Sequence, residues 1–350
     1  MQIIHTASQE DFRKINMTEE TKEEVQVQTE PDIDYSIQQL EGVGAVTTKK
    51  LESFGVTSIF DICIRGSKEV SEITGVTKSK SDQWVFQCQK ILEDNKLIRA
   101  TDMDTMALME YQDNYPLLGI KCEEIDNLIG GGVKPECVYE VYGAFGSGKT
   151  QFSNSLTVEA IHAEKNVVWV DCEDTFRPKR ILEIMMAKGY IEDKSEAKEY
   201  LDRITYYYCP NTEQLMGTVN SLSKILQEKR PRLVVFDGAI GQFREEYLGR
   251  GTLSERQNQI ARLMTHLKNI SFYFYCTVLF TNQVQSDPAV MFGDPIKPIG
   301  GNIVGHASTY RIYFKKSGKK RIARMVDSPE HPQQDAEFIL NAKGIDSPEK

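Results

Sequence analysis

The sequence is marked first by what it lacks. No apolar run in its 350 residues reaches the ~18–20 residues that a membrane-spanning helix requires. The densest apolar stretch, 270–283, is interrupted by Ser271, Thr277 and Asn282, and reads as a helix end followed by a buried strand. The first ten residues hold no basic segment followed by an apolar core, so no secretory signal is expected. The seven cysteines are odd in number and widely spaced, and none forms a Cys-x-x-Cys pair. That excludes a disulfide scaffold and argues against zinc and redox motifs, leaving buried, reduced thiols. Positive charge is also in deficit, with 42 Lys+Arg against 51 Asp+Glu and a net charge of -9. Residues 1–34, however, carry nine acids and only three bases, so the rest of the chain holds 42 acids and 39 bases. The acidity belongs mainly to one end, and it does not exclude a polyanionic partner for the remainder.

What is present suits a soluble chain of about two domains. Residues 1–35, poor in apolar residues, read as a disordered acidic tail. Residues 36–93 read as a small helical domain, in which Leu40 to Leu51 places Gly42 and Gly44 in a tight turn between apolar helical patterns. Glycines there permit positive φ and bare the amides at the start of the next helix. The segment resembles a helix-hairpin-helix motif, which grips DNA phosphates with such amides; Lys49 and Lys50 would add charge. A degenerate second copy runs from Ile73 to Thr77. Residues 94–115 show no core pattern and read as a linker. From 116 to 350 the chain alternates strands, expected at 138–142, 167–171, 204–208, 233–236 and 277–281, with helices near 150–163, 177–189, 212–229 and 252–270. This is the pattern of an α/β fold with a mainly parallel, buried sheet. The β-rich stretch 308–340 adds antiparallel strands.

Gly143-Ala-Phe-Gly-Ser-Gly-Lys-Thr150 satisfies the full phosphate-loop pattern, between an apolar strand and a helix. Gly143, Phe145, Gly146, Ser147 and Gly148 form the curl whose amides face phosphates. Lys149 would reach the β and γ phosphates, and Thr150 would ligate Mg²⁺. Leu233 to Asp237 is an apolar strand ending in a carboxylate, and Asp237 is the natural anchor for the Mg²⁺ and its water. The strand 167–171 also runs out into carboxylates, Asp171 and Glu173, either of which could polarise an attacking water.

These segments, with Asp171 to Arg180, Phe243 to Gly251, Thr281 to Gln285, Gly293 to Gly301 and Asp327 to Pro332, stand in an order that resembles the RecA-type recombinases. The likeness is closest to archaeal RadA and its eukaryotic counterparts, and it covers about residues 37–345. The resemblance implies a RecA-like P-loop ATPase core preceded by a small all-α helix-hairpin-helix domain. It implies a DNA-dependent ATPase that uses ATP and Mg²⁺ for strand exchange in recombination and double-strand break repair. Glu173 matches the family's water-activating glutamate, beside Lys149 and Gln283 in the catalytic set. Arg180 matches the arginine that stacks on adenine, and Gln151 follows the phosphate loop. Asp327 to Pro332 matches a cap laid over the neighbouring subunit's nucleotide. Gln283 and His306 match residues that sense the γ-phosphate.

Arg244, Arg250 and Arg256 match the first DNA-binding loop of that family. Residues 284–301, rich in breakers and without periodicity, match the second, where Met291 and Phe292 would wedge between bases and Gly300 and Gly301 would offer amides. The basic cluster 315–324 reads equally as a duplex-attracting patch or a solvated hairpin. Leu97 and Ala100 match the polymerisation segment, with Leu97 where the family has Phe. Other departures are Ala144, where Glu is common, and Gly238, where Ser is usual. The implied partners are single- and double-stranded DNA, further copies of the chain in a helical filament or ring, and recombination mediators. The implied location is cytoplasmic and nucleoid-associated, or nuclear in a eukaryote. Two other readings stay open on the residues: a paralogue acting as an ATP-binding mediator or filament cap, and a ring-forming helicase-like ATPase.

Overall fold

The computed structural model describes residues 34–247, 249–286 and 296–348. The expected tail, 1–35, therefore lies almost wholly outside the described residues, as do Met291 and Phe292. From Ser36 onward the chain forms one unit, which opens with helices α1 (Ala45–Ser53), α2 (Ile59–Thr74) and α3 (Lys78–Asp94). Gly42 takes φ +81° and Gly44 is the N-cap of α1. The second copy repeats the arrangement. Gly75 closes α2 at φ +78°, and the Thr77 side chain accepts from the Lys80 N–H to cap α3. The linker contains a short helix, α4 (Thr105–Asp113), that no apolar stripe announces: none of its residues is buried. It is started by Asp104, whose carboxylate accepts from the N–H groups of Met106 and Ala107.

Past α5 (Glu123–Leu128) comes the α/β core. Its elements are β1 (Val138–Gly143), α6 (Lys149–His162), β2 (Val167–Asp171), α7 (Pro178–Lys188), α8 (Ala197–Leu201), β3 (Ile204–Tyr208), α9 (Thr212–Lys229), β4 (Leu233–Asp237), α10 (Gly241–Glu246), α11 (Leu253–Tyr273) and β5 (Thr277–Asn282). After β5 follow the small ribbon β6 (Val284–Ser286) and β7 (Ile296–Pro298), then α12 (Gly301–Ala307) and β8 (Tyr310–Ser317). The last strands are β9 (Lys320–Asp327), β10 (Asp335–Asn341) and β11 (Gly344–Asp346). Nine of these strands form one sheet in the order β11-β10-β9-β8-β1-β5-β4-β2-β3. The six from β8 to β3 are parallel, and β9, β10 and β11 add antiparallel.

The central parallel strands β1, β2, β4 and β5 are buried on both faces, which is why they read as mainly apolar runs, whereas the edge strand β3 is only partly covered. Alternate residues point to opposite cores. Tyr139, Trp169, Val235 and Leu279 join the core with α6 and α7, and Val168, Val170, Phe236 and Phe280 join the one with α9 and α11. The connections are helical, so every parallel strand delivers its C-terminus to the same edge of the sheet.

The helical domain packs on α11 through a polar seam. Gly66 interrupts α2 at φ +73°. The Asn269 amide donates to the carbonyls of Cys63 and Ile64 at 2.9 Å each, satisfying groups that the break leaves over. One turn on, the buried Glu69 carboxylate meets Arg65 at 2.7 Å and His266 at 2.8 Å, with Arg262 at 3.5 Å. Burial alone would raise the Glu69 carboxyl. The His266 hydrogen bond and charge, with Arg65 and Arg262, outweigh it and hold the group below its ordinary 4.5. A lowered carboxyl contributes stability that is complete above 4.5 and fades as pH falls through the lowered value. Glu69→Ala is expected to cost about 3–5 kcal/mol at neutral pH by stranding buried Arg65. Thermal melts from neutral to acid pH should also show a shallower acid limb in the variant; parallel limbs would refute the assignment.

Candidate functional site

The loop from Gly143 to Thr150 leaves the C-terminal end of β1 and enters α6. Gly146 and Gly148 hold φ of +71° and +112°, conformations that L side chains rarely adopt. Gly143 is required for a different reason: a Cβ there would stand 2.2 Å from the Phe314 carbonyl of β8. Ser147 is buried, whereas Phe145 is 96 % exposed. The Lys149 ammonium folds back to donate to the Gly143 and Ala144 carbonyls at 3.0 and 3.3 Å. Burial lowers its pKa, while the charges of Glu173 and Asp237 pull the other way.

Asp237, at the end of β4, is buried and accepts three hydroxyls: Thr150 at 3.4 Å, Thr281 at 2.5 Å and Thr175 at 2.9 Å. Burial raises its pKa; the three hydroxyl hydrogen bonds oppose that rise and the charge of Glu173 adds to it. Asp171 and Glu173, which the residues alone leave unranked, occupy different situations. Asp171 is fully buried, and its oxygens accept from the N–H groups of Glu173, Thr175 and Phe176 and from the Tyr206 hydroxyl. It is spent on holding the turn after β2. Glu173 is exposed, and its carboxylate accepts from the Gln283 amide at 2.8 Å. Gln283 lies just past the end of β5, and its carbonyl accepts from the Ile299 N–H at 3.0 Å, so the excursion 284–298 leaves and returns beside it.

Arg180, on the first turn of α7, has its guanidinium fixed by Gln151 Oε1 at 3.0 Å and by the Asn341 carbonyl at 2.7 Å. Arg244 and Gln283 share a cavity of about 180 Å³ with Gly241, Glu245 and Ile299. Arg250 falls in the turn before α11, and half-buried Arg256 in its first helical turn. Gly300 caps α12 at φ +90°, Gly301 faces open space, and exposed His306 lies on the last turn of that helix. Leu97 is half-buried and closes α3 through its N–H to the Leu92 carbonyl; Ala100 is exposed. A larger cavity, about 510 Å³, opens between α5 and β10. Its carboxylate lining of Glu124, Asp335 and Glu337 does not suit an anionic ligand.

The cap stands apart. β9 runs antiparallel to β8, so it begins at the phosphate-loop edge and ends, at Asp327, at the opposite edge. Seven residue steps at ~3.3 Å place Asp327 some 23 Å away along the strand. Exposed Pro332 follows on the same side, where Lys134 pairs with Glu330 and the His331 ring packs over Gly130. The basic cluster is divided as well. Lys320 and Arg324 pair with Glu337 and Asp335 at 2.7 and 2.6 Å. Lys316 and Arg321, directly opposite each other, lie beside Gly146 and Gly148.

Glu140 is a site residue that motif reading misses. It is fully buried in β1 and accepts from Asn282 at 2.7 Å and Arg311 at 2.6 Å, linking β5, β1 and β8 directly below the site. The available signal was a lone acid in the apolar run Val138 to Tyr142. Burial raises its pKa, against the Arg311 charge and the two hydrogen bonds.

A parallel sheet, a phosphate loop on its central strand and a hydroxyl-bonded Asp two strands away define a P-loop nucleotide-binding core of the RecA type. The Rad51 family model matches residues 117–348. The chain is 37 % identical over 323 residues to the DNA repair and recombination protein RadA of Cenarchaeum symbiosum, covering 90 % of this chain and 80 % of that one. It is 33 % identical over 321 residues to the protein of the same name from Methanoculleus marisnigri, covering 88 % and 98 %. The chain belongs to the Rad51 family.

Because Glu140 is sealed from solvent while Arg311 is partly exposed, the two halves of their pair are not equivalent. Arg311→Ala strands a buried carboxylate and is expected to cost about 3–5 kcal/mol, more than Glu140→Gln, which leaves a cation that water can reach. Denaturant unfolding of the two variants measures the order; the reverse order would sink this account.

Proposed function

We propose that this protein is an ATP-dependent DNA strand-exchange recombinase that assembles as a filament on single-stranded DNA. The observation that carries the reading is the division of the site: the phosphate loop lies at one edge of the sheet and Asp327 to Pro332 at the other. One chain cannot close its own cap over its own loop, whereas head-to-tail copies can, and such contacts generate open helices or rings. The RadA relatives carry DNA repair and recombination in their names, which supports the same assignment.

Within this reading the helical domain 36–93 offers its Gly42 and Gly44 amides to DNA, and 94–115 links it to the ATPase core 116–350, with Leu97 and Ala100 in the polymerisation contact. Arg244, Arg250 and Arg256, with Gly300 and Gly301, hold the DNA backbone. Arg180 and Gln151 border the adenosine end of the nucleotide. The hydroxyl of Thr150 and the carboxylate of Asp237, hard oxygen donors 3.4 Å apart, fit Mg²⁺, which takes few protein ligands beside phosphate and water. When bound, the ion neutralises phosphate charge. Lys149 holds the terminal phosphates, and Glu173 accepts the proton of the attacking water. Gln283 and His306 relate the phosphate end of the site to the excursion 284–298. Base pairing between strands supplies sequence discrimination. No described helix is long and apolar enough to cross a membrane. A recombinase acting on DNA would work in the cytoplasm at the nucleoid, or in the nucleus of a eukaryote.

Strand exchange with ATP, Mg²⁺ and matched or unmatched DNA tests the activity; failure on matched DNA would overturn it. The split site makes a sharper demand. Lys149→Ala and Asp327→Ala are each expected to abolish ATP-supported turnover on DNA. An equal mixture should recover about a quarter of wild-type turnover, since intact loops from one variant meet intact caps from the other. A mixture as inactive as its components would refute the shared site.

A further inference from the structure

Glu136 lies just before β1 at φ +57°, a left-handed conformation that is strained for a residue with a side chain and persists only where the surroundings hold it. Its N–H donates to the Cys276 carbonyl at 3.0 Å, beside Tyr275, which is itself left-handed at φ +49°. The Glu136 side chain is only 6 % exposed, and its carboxylate accepts from three groups of the linker. These are Arg99 Nε at 3.0 Å, the Tyr111 hydroxyl at 2.7 Å and the Tyr115 hydroxyl at 2.9 Å. The rings of Tyr111, Tyr115 and Tyr275 close a triangle with centroids 5.4, 6.3 and 6.2 Å apart. The Arg99 guanidinium lies over the Phe272 ring of α11 at 5.1 Å. Burial and the Glu136 charge push both tyrosine hydroxyls above their ordinary 10, so they stay protonated as donors. Helix α4 buries none of its residues, and Tyr111 is its hydrogen bond to the core.

Arg99 stands inside the segment 97–100. Ile98 is buried and Ala100 is exposed. The segment is tied at both ends, by the Leu97 N–H to the Leu92 carbonyl at 2.9 Å and by the Thr101 N–H to Glu93 Oε1 at 2.8 Å. Between those ties, Ile98, Arg99 and Ala100 form no backbone–backbone hydrogen bond among the described residues. A short length of chain is thus immobilised while its own edge stays bare. We infer that Glu136 is the positioning residue of the linker: it clasps Arg99, Tyr111 and Tyr115 so that a second copy of the chain meets the segment 97–100 in a preset pose. The inference rests on the reading of Leu97 and Ala100 as part of the contact between copies. Its physical content is pre-organisation, because a tether ordered before docking loses less freedom when it docks.

The test is light scattering of the full chain with ATP and Mg²⁺ over a dilution series. Glu136→Gly removes the carboxylate and relieves the left-handed strain, so the fold is kept while the clasp is lost. The concentration for half-assembly is expected to rise roughly 10-fold. The double variant Tyr111→Phe with Tyr115→Phe keeps the rings, loses the hydroxyls and should shift it in the same direction by less. ADP affinity should stay within about twofold of wild type. A second readout does not depend on assembly. In the Leu97→Glu background, expected to be monomeric, trypsin should cut the Arg99–Ala100 bond roughly 10-fold faster once Glu136→Gly is added, because the arginine is no longer held. Assembly of Glu136→Gly at the wild-type concentration or below it, unchanged cleavage, or a parallel loss of ADP affinity would overturn the role of Glu136. Assembly that ignores Leu97→Glu, or none by the unaltered chain, would instead overturn the reading of the segment, and the inference with it.

Discussion

One buried carboxylate holds the site together. Asp237 sits at the C-terminal edge of the sheet and receives hydroxyls from three separate segments: Thr150 at the start of α6, Thr175 in the turn after β2, and Thr281 on β5. Burial works against its charge, and those hydroxyls are what make an ionised group tolerable there. The dependence is mutual. The carboxylate needs the hydroxyls, and in accepting them it fixes the helix that carries Lys149, the turn that carries Glu173 and the strand that leads to Gln283. Asp171 does the same for the backbone of the turn after β2, so Glu173 is presented by amides committed to a neighbouring acid. The exposed position of one carboxylate follows from the buried, occupied positions of two others.

Strand direction does the rest. Parallel strands gather the loop, the carboxylates and Gln283 at one edge, because helical crossovers return the chain to the same starting side. The antiparallel β9 reverses that and carries Asp327 to the far edge. On the proposed reading, the loop of one chain and residues 327–332 of another complete a site between them, and that separation comes from adding one hairpin to a parallel sheet. The anchoring of the cap fits this, since Glu330 and His331 fasten it to Lys134 and the Gly130 turn and present it outward at a defined place.

Much of this was legible in the sequence, for reasons that differ by element. The phosphate loop is local: its glycines and Lys149 act within eight residues, so spacing alone reveals them. The core strands announced themselves because burial on both faces leaves mainly apolar runs. What resisted reading were facts of pairing. Asp171 and Glu173 are alike in sequence, and only the turn amides decide which is consumed. Glu140 looked like an anomaly in a strand until Asn282 and Arg311, more than 140 residues away, supplied its partners. The helix α4 has no apolar face to betray it. The cluster 315–324 reads as a single basic patch, yet strand alternation splits it, because Lys320 and Arg324 fall on the face that also carries Asp335 and Glu337.

That split bears on how an acidic chain favours polyanions. Lys316 and Arg321 are cross-strand neighbours on the face that turns toward the phosphate loop, and among the described residues neither forms an ion pair. Like charges set directly opposite each other are unfavourable in a sheet. The arrangement is relieved only when negative charge lies close by, and the surface they flank is the curl of amides around Gly146 and Gly148. Lys149 adds a third cation, which donates to backbone carbonyls of the loop and feels the charges of Glu173 and Asp237 without pairing directly with either. Net charge sums over all 350 residues and reports none of this. The field that a phosphate group meets is set by which cations the fold leaves unneutralised, and here they converge on one loop.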